Sequence, residues 1–274
     1  MPTIHPTAII EGDVTLADDV EVGPHCVIRG TVRVGAGTRL IGSVYLTGPL
    51  TLGTANVVYP FACLGFAPQH AKYDPREPGC GLAIGDGNTI REQVIVHRAF
   101  TDEGPTRIGD GNLLMATSHV GHDCRVADGC TIVTGAVLAG HVELGGGVTV
   151  GGHAGIHQFV RVGRGAMVGG GAHLSADLLP YFLVTGRNIC RSVNLVGARR
   201  SGMPRVEVDR LRWIHQTIYR RGWSTARAVA ALRENAGEPL VDECLRFIDD
   251  SKRGICRARA SNPPSCAVSG ERHG

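Results

Sequence analysis

The sequence predicts an all-β solenoid, a prism of stacked three-sided coils, followed by a small C-terminal α-helical domain. Three observations predict it. Aliphatic residues recur every six positions, small residues and glycines hold fixed slots between them, and the spacing turns helical after Pro204.

The six-residue period comes first. From Ile4 it runs through Ile10, Leu16, Val22, Ile28, Val34, Leu40, Leu46, Leu52 and Val58 to Leu64. It restarts at Ile84, Ile90 and Val96, then runs unbroken from Ile108 through Leu114, Val120, Val126, Ile132, Leu138, Leu144, Val150, Ile156, Val162 and Val168 to Leu174. The chance of that last run arising at random is on the order of one in ten million.

Other slots of each hexad agree. The fifth is small or β-branched (Ala8, Val14, Val20, Cys26, Ala136, Val148), and the second is often glycine (Gly23, Gly35, Gly85, Gly109, Gly145). Residues two apart on a strand face the same way, so the fifth and first slots both point inward. Each hexad is then one face, three faces close a coil, and coils stack about 4.8 Å apart. This solenoid is expected over 1–190, with excursions near 66–83 and 97–107 where the period breaks. Long excursions from a rigid scaffold tend to carry function.

The period ends near Leu174, and an irregular stretch is expected to about Met203. A helical domain follows over 191–256. Pro204 suits a first helical position, Val208, Leu211, Ile214 and Ile218 have helical spacing, and Gly222 ends the run. Ser224 can cap a second helix, and Leu240 to Ile248 suggests a third. Trp213 and Trp223 are read as packing residues. The polar tail 257–274 is expected to be disordered.

Composition narrows the function. The 274 residues carry a net charge of only +3 and 5% aromatics, which gives neither the basic field nor the stacking platforms of a nucleic-acid binder. Nine cysteines form no C-x-x-C pair and are read as reduced thiols. No leader and no membrane-spanning apolar run is evident, so a soluble cytoplasmic protein is expected.

Histidines concentrate in the second half of the repeats: His97, His119, His122, His141, His153 and His157. Folded at one coil per three hexads, His122 lies beside Gly140 and His141, and these beside His157 and Gln158. His122, His141 and His157 are therefore expected in one column, about 5 Å apart. Asp123 could fix the His122 tautomer, His122 could take a proton from a hydroxyl, and the Gly140 N–H could serve an oxyanion. The same three imidazoles could instead hold zinc, as in a carbonic-anhydrase-like hydratase.

The hexads resemble the hexapeptide-repeat family, whose coils form a left-handed parallel β-helix. More specific is Asn112-Leu-Leu-Met-Ala-Thr-Ser-His-Val-Gly-His-Asp-Cys124, which closely resembles the central motif of the UDP-N-acetylglucosamine 3-O-acyltransferases, the first enzymes of lipid A synthesis. Ile4-His-Pro-Thr-Ala-Ile9, Ile84 to Glu92, Val96-His-Arg98, Leu138 to Val142, Ile156-His-Gln-Phe159, Asn194 to Arg200 and Ser251 to Ile255 match in order.

The resemblance implies a homotrimer with sites between subunits and no cofactor or metal. It implies transfer of a 3-hydroxyacyl group from acyl carrier protein to the sugar 3-hydroxyl of UDP-N-acetylglucosamine. His122 would be the general base, Asp123 its orienting partner and Gly140 the oxyanion donor. Lys72, His97, His119, His141, His157 and Gln158 would meet the substrates, Gly170 would set acyl length, and Asn194 and Arg200 would bind the nucleotide. His70, Val196 and Ser201 depart from the family pattern, and His70 and Ser201 touch acceptor recognition. Another hexapeptide acyl- or acetyltransferase on a related sugar nucleotide, or the zinc hydratase, stands as the alternative.

Overall fold

The computed structural model describes residues 1–258. Inward aliphatic residues at a six-residue spacing give the chain three faces per coil, and they form three sheets of 12, nine and eight strands, parallel throughout the coils. The chain visits them in rotation. Leu113–Leu114 lies in the first sheet, His119–Val120 in the second and Arg125–Val126 in the third. Each pairs in register with the next coil: Leu113 with Thr131, His119 with Val137, Arg125 with Glu143. The period-six residues Leu114, Val120, Ile132 and Leu138 are fully buried. The chain is a parallel β-solenoid.

The corner from the third sheet back to the first shows how the turns are held. Its left-handed position is filled by Gly87, Gly111, Gly129, Gly147 and Gly165, at φ between 62° and 68°. Glycine takes this conformation without the Cβ clash that other residues meet. A buried asparagine ladder runs beneath. The Asn88 N–H donates to Asn56 Oδ1 at 2.9 Å, Asn112 N–H to Asn88 Oδ1 at 2.8 Å, and Cys130 N–H to Asn112 Oδ1 at 2.7 Å. Turn amides that the strands leave unpaired are satisfied coil by coil.

The two ends differ. Ile4 and Ile10 hold core positions yet are 42% and 37% exposed, because among the described residues no coil packs beneath theirs. At the carboxyl end the segment expected to be irregular contains an antiparallel hairpin, Phe182–Thr185 with Ile189–Val193, and helix α1, Leu195–Arg200. The backbone period there shifts from six to two, which the hexad pattern does not reveal. Helices α2 (Arg205–Tyr219), α3 (Thr225–Arg233) and α4 (Pro239–Asp249) cover the last coils.

Pro204 is the cap preceding α2, and Ser224 Oγ accepts the Arg227 N–H at the start of α3. Phe182 is fully buried against His215 and Tyr219 of α2. Trp213 packs on the core, while the guanidinium groups of Arg221 and Arg227 both lie over the Trp223 ring, at 4.7 and 4.6 Å. The tail begins in order: Arg257–Ala258 forms a strand beside Ile189–Cys190. The rest of the expected disordered tail, 259–274, lies outside the described residues. Among the described residues, no helix is long and apolar enough to cross a membrane.

Candidate active site

Both excursions leave the prism at the same corner, between the second and third sheets. One departs after Phe66 and returns at Leu82; the other departs after His97 and returns at Thr106. The next coil turns this corner at Gly121–Cys124, so the excursions fold beside His122 and Asp123.

Here the left-handed position holds Asp123, His141 and Phe159, at φ of 58°, 59° and 64°. Non-glycine residues in this region are strained, and such strain clusters at functional sites. The His122 Nδ1 lies 2.6 Å from Asp123 Oδ2. Asp123 Oδ2 also accepts the Phe100 N–H at 3.1 Å, and Oδ1 accepts the Thr101 N–H at 3.0 Å and the Thr101 hydroxyl at 2.7 Å. The Asp123 N–H donates to Thr106 Oγ1 at 2.8 Å. The Asp123 side chain is only 6% exposed. Burial opposes its charge, but hydrogen bonds from His122, Thr101 and Phe100 outweigh that and hold the carboxyl well below the usual range. An ionised Asp123 only accepts, so His122 carries its proton on Nδ1 and leaves Nε2 as the free base.

Gly140 packs against that imidazole. A Cβ here would come within 2.5 Å of His122 Cε1 and 2.6 Å of Nε2. Its N–H has no protein acceptor among the described residues. His141 sits one residue on, its N–H bonded to the His122 carbonyl at 2.9 Å and its Nε2 3.6 Å from Asp123 Oδ2. Its ring stacks on Phe159 at 4.4 Å, and burial lowers its pKa.

His97 and His119 pack ring to ring at 5.2 Å at the second sheet. Burial lowers both, and the neighbouring His97 charge helps push His119 down to about 4. His97 Nδ1 meets the Ala67 carbonyl at 2.7 Å, tying the first excursion to the prism. Arg98 ties it further. Nearly buried, its guanidinium donates to the carbonyls of Gly65, Pro75 and Glu77 and to the Tyr73 hydroxyl. This brings His70 within 4.5 Å of the Phe100 ring and 6.0 Å of the His122 ring. Exposed Lys72 follows, its N–H donating to His70 Nδ1 at 3.2 Å.

One expectation fails. His157 does not stack above His141, because the place one coil on belongs to Phe159, whose N–H bonds the Gly140 carbonyl. His157 directly follows the strand Gly155–Ile156, is exposed, and lines a separate cleft with His173, Ser175 and Arg187. The three-imidazole zinc set therefore does not assemble within the chain. Among the described residues, the donors close enough to share an ion are those of His122, Asp123 and His141.

Gln158 is at the same corner as His122 but exposed. Gly170 lies elsewhere, in the turn from the first sheet to the second, with room for a Cβ. Asn194 caps α1, accepting the Gly197 N–H and donating to the Gly165 carbonyl. Arg200 is exposed at the end of that helix. These three residues are not brought to His122 within one chain. Sequence reasoning missed Phe159, Phe100, Thr101 and Arg98. Strict counting by one coil from His141 identifies Phe159; the others lie in or beside excursions with no period to place them.

A cleft of about 650 Å³ opens beside Asp123 and His141, running past Arg125 and Arg161 to Lys252. Residues 177–256 match the model of the second domain of UDP-N-acetylglucosamine O-acyltransferase, and residues 105–140 match the bacterial transferase hexapeptide repeat. The chain is 40% identical to the acyl-[acyl-carrier-protein]–UDP-N-acetylglucosamine O-acyltransferase of Halorhodospira halophila, over 94% of this chain and all of that one, and equally to that of Myxococcus xanthus. The structure of the Francisella novicida UDP-N-acetylglucosamine acyltransferase superposes with a TM-score of 0.90 at 30% identity, over 99% of this chain and all of that one. That of Campylobacter jejuni gives 0.87 at 36% identity, over 94% of this chain and all of that one. With a solenoid, capping helices and full-length relatives all in agreement, the chain belongs to the acyl-[acyl-carrier-protein]–UDP-N-acetylglucosamine O-acyltransferases.

Proposed function

We propose that this chain moves a 3-hydroxyacyl group from acyl carrier protein to the 3-hydroxyl of UDP-N-acetylglucosamine, the opening step of lipid A synthesis. The observation that carries the mechanism is the buried His122–Asp123 pair with Gly140 against the imidazole. His122 Nε2 removes the hydroxyl proton as the sugar oxygen attacks the thioester carbon. The Gly140 N–H donates to the oxyanion. Collapse of the tetrahedral intermediate breaks the carbon–sulfur bond, and His122 returns its proton to the leaving thiolate. The ionised Asp123 stabilises the imidazolium in between. The chemistry needs no cofactor.

His119, His141, Gln158, His97, His157 and Lys72 flank the acceptor and acyl chain in this reading, and Gly170 limits acyl length. Gly170 and Asn194 lie at opposite edges of the first sheet, away from His122. A neighbouring copy whose first sheet flanks this corner supplies Gly170, Asn194 and Arg200. A cyclic homotrimer with the second sheets turned toward its axis does this. It also covers Tyr45 and Val137 of that sheet, which are 38% and 44% exposed in one chain. Both substrates place the enzyme in the cytoplasm.

The test is an acyl-transfer assay with UDP-N-acetylglucosamine and a panel of 3-hydroxyacyl carrier protein thioesters. Wild type should form the 3-O-acyl product, and His122→Ala should lose at least about a thousandfold in kcat at unchanged Tm. A fully active His122→Ala enzyme sinks the base assignment.

A further inference from the structure

We infer that Thr101, in the second excursion, is the positioning residue that tunes the base strength of His122, acting through Asp123. The inference rests on His122 being the base.

Thr101 binds Asp123 Oδ1 twice, through its N–H at 3.0 Å and its hydroxyl at 2.7 Å. The other oxygen, Oδ2, faces His122 Nδ1 at 2.6 Å and His141 Nε2 at 3.6 Å. Two imidazoles thus compete for one oxygen. Pinning Oδ1 fixes the plane of the carboxylate and keeps Oδ2 turned to His122. Among the described residues no Lys or Arg pairs with Asp123. Its charge is balanced by neutral donors, of which the Thr101 hydroxyl, at 2.7 Å, is the shortest after the His122 Nδ1–H and the only one supplied by a side chain other than imidazole.

The electrostatic consequence has a definite sign. Each donor to the carboxylate spreads its negative charge and weakens its pull on the imidazolium. With the hydroxyl removed, Asp123 holds the His122 proton more tightly, and His122 stays protonated to higher pH. An imidazolium cannot accept the sugar proton. Other titratable groups near His122 are His141, His70, His97 and His119, with Glu103 in the cleft beside His141. None of them binds Oδ1. Thr101 lies outside the prism, so its replacement leaves the stacked core untouched.

The experiment compares wild type, Thr101→Val and Thr101→Ser as full-length protein. Steady-state kinetics are run across pH, alongside an NMR titration of the histidine Cε1 protons. Thr101→Val is expected to lower kcat about two- to threefold near neutral pH with KM values within about twofold. The His122 titration and the acidic limb of the rate profile should move up by about half to one pH unit. Thr101→Ser, which keeps the hydroxyl, should restore both. A valine variant with wild-type kcat and an unmoved His122 titration overturns the inference. So does a serine variant as impaired as the valine one, since that assigns the effect to the methyl group. The NMR arm needs no turnover, so it decides the role of Thr101 even if His122→Ala proves active and the base assignment fails.

Discussion

Two corners of the same prism are built on the same turn and filled for different ends. Between the third and first sheets, glycine takes the left-handed position in every coil from Gly87 to Gly165, and asparagines satisfy the buried amides. Between the second and third sheets, the same position holds Asp123, His141 and Phe159, and the polar partners come from an excursion. The first arrangement minimises strain. The second accepts strain at about 1–2 kcal/mol per residue and gains a carboxylate and an imidazole in fixed register. At this corner the strained turns carry the polar groups of the candidate site.

The sharpest way to break this comparison is to add one methyl group at each corner. Gly140→Ala drives a Cβ into the His122 ring, so kcat should fall about a hundredfold with little change in Tm. Near-wild-type turnover of this variant would show that the ring does not work where it lies.

A second prediction concerns pH. His119 is held neutral in the fold, its pKa pushed down to about 4 by burial and by His97. The unfolded chain takes up a proton below about 6.5, so the folded state loses stability as pH falls from 6.5 toward 4. His119→Gln should flatten that limb of a Tm-against-pH curve. The Asp123 contribution runs the other way in origin. Its carboxyl is held low, so its stabilisation is present above about 3.9 and disappears only at lower pH. An unchanged slope between pH 6.5 and 4 in the glutamine variant would rule out a buried neutral imidazole.

The smallest effect belongs to Gly111→Ala, at the other corner. No atom lies within 4 Å of the added methyl, and φ is +62°. Only backbone strain remains, about 1–2 kcal/mol, measurable as a modest drop in Tm with kcat unaltered. Lost activity in the folded variant would blur the distinction between the corners.

The prism was legible because its cause is periodic: one inward aliphatic residue per six allows only one kind of coil. His122, Asp123, Gly140 and His141 were legible for the same reason, since stacking converts sequence separation into proximity. His157 misled because the column tolerates no slack; two residues at a corner separate a turn position from a strand end. Thr101 and Arg98 were not legible. Their partners depend on how two non-repeating segments fold over each other, and no spacing encodes that. The hairpin at Phe182–Val193 was missed because alternation over so few residues is a weak signal after a strong one.

The uncovered first coil has a mechanical corollary. Contacts in a solenoid reach only to the adjacent rung, so such proteins open rung by rung rather than all at once. With Ile4 and Ile10 bare at one end of the described chain and helices α2, α3 and α4 packed over the other, unravelling is expected to be directional. It starts at the amino terminus and must consume several coils before it reaches His122. The sacrificial rungs give the catalytic corner a buffer against thermal fraying that its own strained turns could not supply.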